Sequence, residues 1–390
     1  MENELLTRGV ERIYPSQEAL EKELDSGRKL RIYTGIDPTG KLHLGHMVVF
    51  RKLRQFQDLG HEIIVLIGDF TARIGDPTEK LSTRRQLSSE EIKKNARNYK
   101  QVIGKILDTN RANLRFLHNE DWINKLKPID MLELASHFTI PQLLERDMFQ
   151  ERLKQKKDIF LNEFIYPIFQ AYDAVTLDVD MEIGGSDQTF NMLAGRTLMK
   201  KMKDKEKFVL SMKMLADPTG KKMSKTEGNM VPLDATPSEM FGAIMAWPDE
   251  LLVSGFELLT DVPMSEIEEM AKEMPGQLNP RDAKARLAKE IVTMLCNAEA
   301  ADKAAEEFNK VFARKELPEN IKEIKLSGTF PLPQLLIESQ LTASGQEARR
   351  LIEAGAVEID GARLTDIKST IATHPGMVIK VGKRRFARIK

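Results

Sequence analysis

Short runs of apolar and β-branched residues alternate with stretches of helical periodicity over roughly the first two hundred positions, a pattern that predicts a parallel sheet flanked by helices. Leu30 to Gly35 (Leu-Arg-Ile-Tyr-Thr-Gly) reads as a strand. A turn through Asp37, Pro38, Thr39 and Gly40 leads into a helix from about His43 to Leu59. There Val49, Leu53 and Phe56 recur at helical spacing and Gly60 supplies the stop. Glu62 to Gly68, Leu114 to Leu117 and Asp178 to Ile183 read as further strands, the last running into Gly184-Gly185. Between them, from about Asp76 to Asp173, lies a mostly helical insertion rich in Lys, Arg and Glu.

From Thr236 to about Glu323 the pattern is helical throughout. Asn279-Pro280 suits a helix start, with Asn as cap and Pro at the first position, and Leu287, Ile291 and Leu295 follow on one face. Gly328 to Pro333 reads as a linker. Beyond it comes a compact unit: a helix opened by Ser344-x-x-Glu347, a stop at Gly355, a strand Val357 to Ile359, a turn at Asp360-Gly361, and a hairpin pattern from Val378 to Ile389 turning near Gly382-Lys383. The expected organisation is α/β: a parallel-sheet domain with a helical insertion over 1–230, an all-helical domain over 231–327 and a small α+β domain over 331–390.

Composition agrees with a soluble chain of two or three domains, since 390 residues carry 41% apolar and 30% charged side chains. No apolar run is long enough to span a membrane, and the opening Met-Glu-Asn-Glu has no apolar segment of the secretory kind. The only cysteine, Cys296, excludes an internal disulfide and a cysteine-cluster metal site, so a reducing cytoplasm is the expected home. Net charge is zero, 59 basic against 59 acidic residues, but it is unevenly spread. From Ala343 to the end there are ten Lys and Arg against five Asp and Glu, as expected of an end that meets a polyanion.

Two segments carry candidate chemistry. His43-Leu44-Gly45-His46 falls after a strand and turn, where a helix N-terminus presents unpaired N–H groups and the positive end of its dipole to an anion. Gly45 lets a nucleotide approach the backbone, and the histidines can donate to phosphate oxygens. A pair of partly exposed helix-start histidines, or a metal pair, is the alternative; no acidic or cysteine partner at metal spacing stands nearby, and no metal site is assigned. The second segment is Lys222-Met223-Ser224-Lys225-Thr226, bracketed by Pro218-Thr219-Gly220-Lys221 and Glu227-Gly228-Asn229. Lysines in a glycine-bracketed loop suit a clamp for polyphosphate, because lysine is a flexible point charge. A solvated lysine-rich loop is the plain alternative for that segment alone.

Together, in this order, the two segments resemble the HIGH and KMSKS signatures of class I aminoacyl-tRNA synthetases. The resemblance covers essentially the whole chain. Tyr33-Thr-Gly-Ile-Asp37-Pro-Thr39, Ile74-Gly-Asp76-Pro, Tyr166-x-x-x-Gln170-x-x-Asp173 and Gly184-Gly-Ser-Asp187-Gln188 are similar to the bacterial tyrosyl-tRNA synthetases, in the branch with a KMSKS-type loop. Ala348-Arg349-Arg350-Leu351-Ile352 and Gly355-Ala356-Val357 resemble the S4 RNA-binding domain found at that end of the family.

The resemblance implies a Rossmann-like catalytic domain, a helical domain on the anticodon side, and a two-step reaction. Tyrosine's carboxylate attacks the α-phosphate of ATP, and the tyrosyl group then passes to tRNA(Tyr). It implies that Thr39 and His43 contact the departing pyrophosphate, that His46 helps hold the nucleotide with Gly35, Asp37 and Gly45, and that Lys222 and Lys225 close over the phosphates with Lys80 and Arg84. Asp187 would hold the ribose and Gln188 the amino-acid carboxylate. Tyr33 and Asp173 would bind the substrate phenol, and Asp76, Tyr166 and Gln170 its α-amino group. Magnesium would accompany ATP. Arg349, Arg350, Lys383, Arg384 and Arg385 would face RNA. The family's homodimer suggests an apolar surface between Ile129 and Leu144, with Met131, Leu132, Leu134, Phe138 and Ile140 as candidates that serve equally well as core. Glu182 stands where some relatives carry glutamine, and if it faces the substrate it needs a partner or a proton. Rival readings are tryptophanyl-tRNA synthetase, disfavoured by the Tyr33 and Asp173 pair and the basic tail; a small-molecule nucleotidyltransferase, for which the lysine loop and tail are surplus; and a non-catalytic RNA-binding relative.

Overall fold

The computed structural model describes residues 2–76, 88–216, 230–273, 279–313, 321–382 and 385–390. Lys80, Arg84, Lys222, Lys225, Lys383 and Arg384 lie outside the described residues. Contacts divide the chain into two compact units, Met1–Thr236 with Ala243–Ala298, and Pro237–Gly242 with Glu299–Lys390.

The first unit is built on a six-stranded sheet of β1 (Val10–Tyr14), β2 (Arg31–Ile36), β3 (Glu62–Ile67), β4 (Leu114–His118), β5 (Met181–Gly185) and β6 (Phe208–Met212). Their order is β1-β6-β5-β2-β3-β4, with every pairing parallel except β1 on β6. Covered on both faces, the middle strands read as continuous apolar runs, as Glu-Ile-Ile-Val-Leu-Ile does in β3. From β2 the chain winds outward through β3 and β4, then returns to lay β5 on the other side of β2. This reversal makes the crevice beyond the carboxyl ends of β2 and β5 the place where such a sheet takes a ligand. The strand expected from Asp178 starts at Met181, because Asp178 closes the Leu161–Leu177 helix in a left-handed conformation.

Helices Leu161–Leu177 and Thr189–Lys203 cover the sheet. Ile168, Ala171, Ala174, Val175 and Leu198 form with Tyr33, Ile64 and Leu66 one apolar cluster behind the crevice. Of the insertion residues read as surface or core, Leu134 is buried in that cluster and Met131 and Phe138 pack against it, whereas Leu132 and Ile140 are exposed. Further along, Leu252–Leu259 is a helix whose terminal carbonyls are taken by two buried arginines. Arg8 donates to Phe256 O and Thr260 O at 3.1 and 2.7 Å, and Arg51 to Leu258 O and Thr260 O at 2.8 and 2.7 Å. Cations at a helix C-terminus satisfy carbonyls that have no intrahelical partner. The Asn279 cap forms as expected, accepting from Arg281 N at 3.0 Å.

In the second unit the helices Leu332–Glu338 and Gly345–Glu353 pack on a five-stranded sheet around Leu335, Leu336, Ile352, Val357 and Ile379. The stretch read as a linker is partly a strand: Thr329–Pro331 pairs with Thr370–Ala372, a partner forty residues away that local pattern does not announce. The expected Ser344 cap is half of a capping box. Ser344 Oγ accepts from Glu347 N, while Glu347 accepts from Ala343 N instead. Arg349 and Arg350 are exposed; Arg385 donates to Leu341 O and Glu347 at 2.7 and 2.8 Å.

At the base of the first unit, Asp180 accepts from Arg31 N at 2.7 Å and pairs with Lys205 and Arg28 at 3.0 and 3.1 Å. Burial pushes this carboxyl up, but the Arg31 N–H and the Lys205 and Arg28 cations outweigh it and hold the group below its ordinary value. A carboxyl more acidic folded than unfolded stabilises the fold above about pH 4, and the contribution disappears as pH falls through the folded value. Asp180→Asn is therefore expected to cost about 1–3 kcal/mol at pH 7 and much less at pH 2.5, read from urea midpoints at the two pH values.

Candidate active site

The first histidine motif sits where β2 hands over to the Leu44–Asp58 helix. His43 is the N-cap, with extended backbone, and its Nδ1 accepts from Gly45 N at 3.1 Å. The Nδ1 of His46 reaches back to accept from His43 N at 3.1 Å, so the two rings form a capping box and lie 4.0 Å apart. Accepting at Nδ1 puts each neutral ring's proton on Nε2, which makes that nitrogen the donor. A Cβ on residue 45 would meet the His43 ring at 3.0 Å, which is a steric reason for Gly45 in addition to ligand approach.

The segment that follows the lysine loop is fastened to this motif. His43 and Pro232 form an antiparallel bridge, Leu44 N donates to Val231 O at 3.0 Å and Leu233 N to Leu42 O at 2.9 Å. Residues 231–233 are thus beside His43. The turn before the helix is held by the insertion: Asn95 donates to Pro38 O at 2.9 Å and the Tyr99 hydroxyl to Gly40 O at 2.5 Å. At the end of β2, Gly35 is exposed and a Cβ there would meet nothing within 4 Å.

Beyond β2 and β5 a set of buried polar groups converges. Asp37 accepts from Thr71 Oγ1 at 2.7 Å and from the Tyr166 hydroxyl at 3.0 Å. A Cβ on Gly68 would fall 2.0 Å from Asp37 Oδ1, so this acid occupies space that only glycine leaves. Asp173 accepts from Trp122 Nε1 at 2.7 Å and from Asn119 Nδ2 at 3.2 Å, and Asn119 also donates to Thr71. Burial pushes the Asp173 carboxyl well up, against those two donors. Tyr33 is fully buried, and among the described residues its hydroxyl has no hydrogen-bond partner. Gln170 donates to Glu182 at 3.0 Å. Asp76 accepts from Gln188 Nε2 at 2.6 Å, and Asn191 fixes that amide by donating to Gln188 Oε1 at 3.0 Å. Asp187 stands at the end of β5, where a Cβ on Gly185 would come 2.7 Å from it.

Of the residues singled out in the sequence, Tyr33, Asp37, Thr39, His43, His46, Asp76, Tyr166, Gln170, Asp173, Asp187 and Gln188 come from β2, β3, β5 and their following segments, or from the Leu161–Leu177 helix that covers them. Sequence reasoning missed the residues that hold them: Thr71, Asn119, Trp122, Asn191 and Arg146. Arg146 is buried 3.6 Å from Asp76, with its guanidinium over the rings of Phe149 and Phe190. Asn119 and Trp122 follow the carboxyl end of β4, and polar residues in that position of a parallel strand were the available signal. Arg146, in the charged Glu145-Arg146-Asp147, carried none.

An α/β, Rossmann-like sheet with an imidazole-capped helix and a buried polar crevice at its reversal is the arrangement of a class I tRNA synthetase. The model described as "tRNA synthetases class I (W and Y)" matches residues 25–313, and the chain belongs to that family. Its tail matches, over residues 307–389, the model described as "Tyrosine--tRNA ligase SYY-like C-terminal domain". Among curated proteins, it is 46% identical to the tyrosine–tRNA ligase of Carboxydothermus hydrogenoformans over 99% of this chain and 97% of that one. It is 43% identical to that of Thermotoga maritima, over 99% and 96%. In structure it is similar to a tyrosyl-tRNA synthetase complexed with L-tyrosine from Archaeoglobus fulgidus, with TM-score 0.61, 25% identity and coverage of 77% of this chain and 98% of that one. The fold is also that of a C-terminally truncated mitochondrial tyrosyl-tRNA synthetase from Aspergillus nidulans, TM-score 0.62 at 23% identity, covering 78% and 92%.

Burial pushes the Asp37 carboxyl up to about 7, Thr71 and Tyr166 opposing and Asp76 adding to the rise. Because the folded chain holds this proton more tightly than the unfolded chain, the associated stability is complete below about pH 4 and is lost as pH rises through 7. Asp37→Asn is expected to flatten the fall in melting temperature between pH 5 and pH 8 in protein free of ATP and tyrosine. Thermal melts across that range check it; parallel slopes for the two proteins refute the assignment.

Proposed function

We propose that the chain is a tyrosine–tRNA ligase: it activates L-tyrosine with ATP to tyrosyl-adenylate and pyrophosphate, then transfers the tyrosyl group to the 3′ end of tRNA(Tyr). The observation that carries the choice of amino acid is the Tyr33 and Asp173 pair. A buried phenol with no partner among the described residues, and a carboxyl held by Trp122 and Asn119 with lone pairs to spare, suit a ligand hydroxyl. Phenylalanine entering there would leave the Tyr33 hydroxyl and the remaining Asp173 lone pairs without the substrate's hydroxyl, a desolvation that nothing offsets. The match of the tail to a tyrosine-type C-terminal domain supports the same choice over tryptophan.

Adenylate formation needs no protein nucleophile, so the side chains position the reactants and stabilise charge on the departing phosphates. The Nε2–H groups of His43 and His46, with Thr39, are suited to phosphate oxygens, and Gly35 and Gly45 to close approach of the nucleotide. Lys222, Lys225, Lys80 and Arg84 add positive charge over the phosphates, and Asp187 takes the ribose. Asp76, Tyr166 and Gln170 receive the α-ammonium, and Gln188 turns the carboxylate toward the α-phosphate. Magnesium enters with ATP, held largely by its phosphates.

The chain is read as three parts, 1–230 for activation, 231–327 toward the anticodon and 331–390 as an S4-like unit. Arg349, Arg350 and Arg385 in that unit, with Lys383 and Arg384, which lie outside the described residues, are assigned to RNA phosphates, which position without reading bases. Among the described residues no helix is long and apolar enough to cross a membrane, and a cytoplasmic homodimer is the expected form. Ile129 and Leu132, 66% and 68% exposed, and Ile140, Phe160 and Leu161 offer an apolar surface for a second copy.

ATP–pyrophosphate exchange with single amino acids tests the assignment. Tyrosine alone should support it; stimulation only by tryptophan overturns the choice. Asp173→Ala is expected mainly to raise the tyrosine KM and weaken discrimination against phenylalanine. Lys225→Ala should slow adenylate formation by about 10- to 1,000-fold with tyrosine affinity nearly intact. For assembly, sedimentation at micromolar concentration should show a dimer that Leu132→Asp dissociates, and a wild-type monomer would end that part of the proposal.

A further inference from the structure

One buried ion pair remains outside these roles. Lys207 and Glu182 are 0% and 2% exposed. The Lys207 ammonium donates to Glu182 Oε2 and, at 3.0 Å, to the Met192 carbonyl. The other Glu182 oxygen accepts from Gln170 Nε2 at 3.0 Å. Glu182 is also the cross-strand neighbour of Tyr33, whose ring centre lies 5.6 Å from the ammonium. The pair therefore sits directly behind two residues assigned to the amino-acid pocket. Space for it is provided by Gly195, where a Cβ would come 2.6 Å from Lys207 Nζ and 3.5 Å from Glu182 Oε2.

Stability does not account for such a pair. Removing two charges from water is expensive, and apolar residues of the same volume usually serve a core at least as well. The chemistry of Gln170 supplies a reason. A carboxamide has a donor edge and an acceptor edge of nearly the same shape, whereas a substrate ammonium only donates and needs the acceptor edge. An ionised carboxylate only accepts, so it selects the N–H edge of Gln170 for itself. A protonated carboxyl can also donate, and it would let the amide turn round.

We propose that Glu182 and Lys207 are positioning residues for amino-acid recognition: Glu182 holds Gln170 with its carbonyl toward the substrate's α-ammonium, and Lys207 keeps Glu182 ionised so that it can only accept. The inference rests on the reading of Gln170 as part of the tyrosine pocket. The charged and titratable groups around the pair are Tyr33 from β2, Asp173 from the Leu161–Leu177 helix, and Arg196 from the Thr189–Lys203 helix. Arg196 and burial both act against the charge on Lys207, and Glu182 is the group that favours it.

Pyrophosphate exchange with the full chain, run between pH 6.5 and 8.5 alongside thermal melts, tests the proposal. In Lys207→Met the buried carboxyl has lost its counter-charge and takes up a proton. The tyrosine KM, relative to wild type, is then expected to rise roughly 10- to 100-fold at pH 6.5, the worth of a hydrogen bond to a charged group. That ratio should shrink toward pH 8.5 as the acid ionises, with kcat and the ATP KM changed little. In Lys207→Met/Glu182→Gln nothing titrates, and the ratio should be the same at every pH. Gly195→Ala, which displaces Lys207 while keeping both charges, should reproduce the pH-dependent rise and serves if Lys207→Met does not fold. Folded Lys207→Met or Gly195→Ala with an unchanged tyrosine KM, or with KM raised equally at all pH, overturns the positioning role, as does a pH-dependent ratio in the double variant. A wild-type chain without tyrosine-dependent exchange overturns the pocket assignment beneath it, and this inference with it.

Discussion

A carboxyl group in a protein interior is tolerable only when donors or a counter-charge replace the water it has lost. Asp173, Asp180 and Glu182 are buried on or beside the middle strands of the sheet, and the half-buried Asp37 joins them at the turn after β2. Each is met by a different solution. Asp180 has a backbone N–H and two cations, Asp37 two hydroxyls, Asp173 an indole and a carboxamide, and Glu182 an ammonium and a carboxamide. The partners of Asp37 and Asp173 stand on the side of the crevice, whereas those of Asp180 lie at the base of the unit.

The reversal of strand order between β2 and β5 makes this concentration possible. Adjacent parallel strands that wind away from each other leave their carboxyl ends without a covering connection, and several chain segments meet there. The turn after β2 brings Asp37 and the histidine motif, the segment after β3 brings Thr71 and Asp76, that after β4 brings Asn119 and Trp122, and that after β5 brings Asp187 and Gln188. The Leu161–Leu177 helix lays Tyr166, Gln170 and Asp173 across them, three and four residues apart on one face. Phosphate chemistry is assigned to the side of the histidines and amino-acid recognition to the side of that helix. Both share Asp37, whose Tyr166 contact ties the nucleotide turn to the amino-acid face.

The histidine motif shows how one local structure can serve two ends. Each Nδ1 is spent on a backbone N–H at the start of the helix, which satisfies a group that would otherwise be unpaired and fixes the tautomer. Alignment of the Nε2 donors is therefore a by-product of capping. The pairing of residues 231–233 with 42–44 extends the same economy, because one short bridge holds that downstream stretch beside the histidines.

Much of this was readable from the chain alone. The strand and helix alternation, the helix after His43, the cap at Asn279 and the turn at Asp360-Gly361 follow from periodicity and from residues acting within a few positions of themselves. The order of the two motifs, with Tyr166, Gln170 and Asp173 between them, was enough to point to the family. What local pattern could not contain were partners brought from far along the chain: Trp122 and Asn119 for Asp173, Lys207 for Glu182, Arg146 for Asp76, and the strand Thr329–Pro331 for Thr370–Ala372. A lone polar residue has the same local signature whether it faces water or a buried acid. Only the folding of the sheet, which removes water from those acids and leaves them to whichever donor is carried within reach, decided between the two.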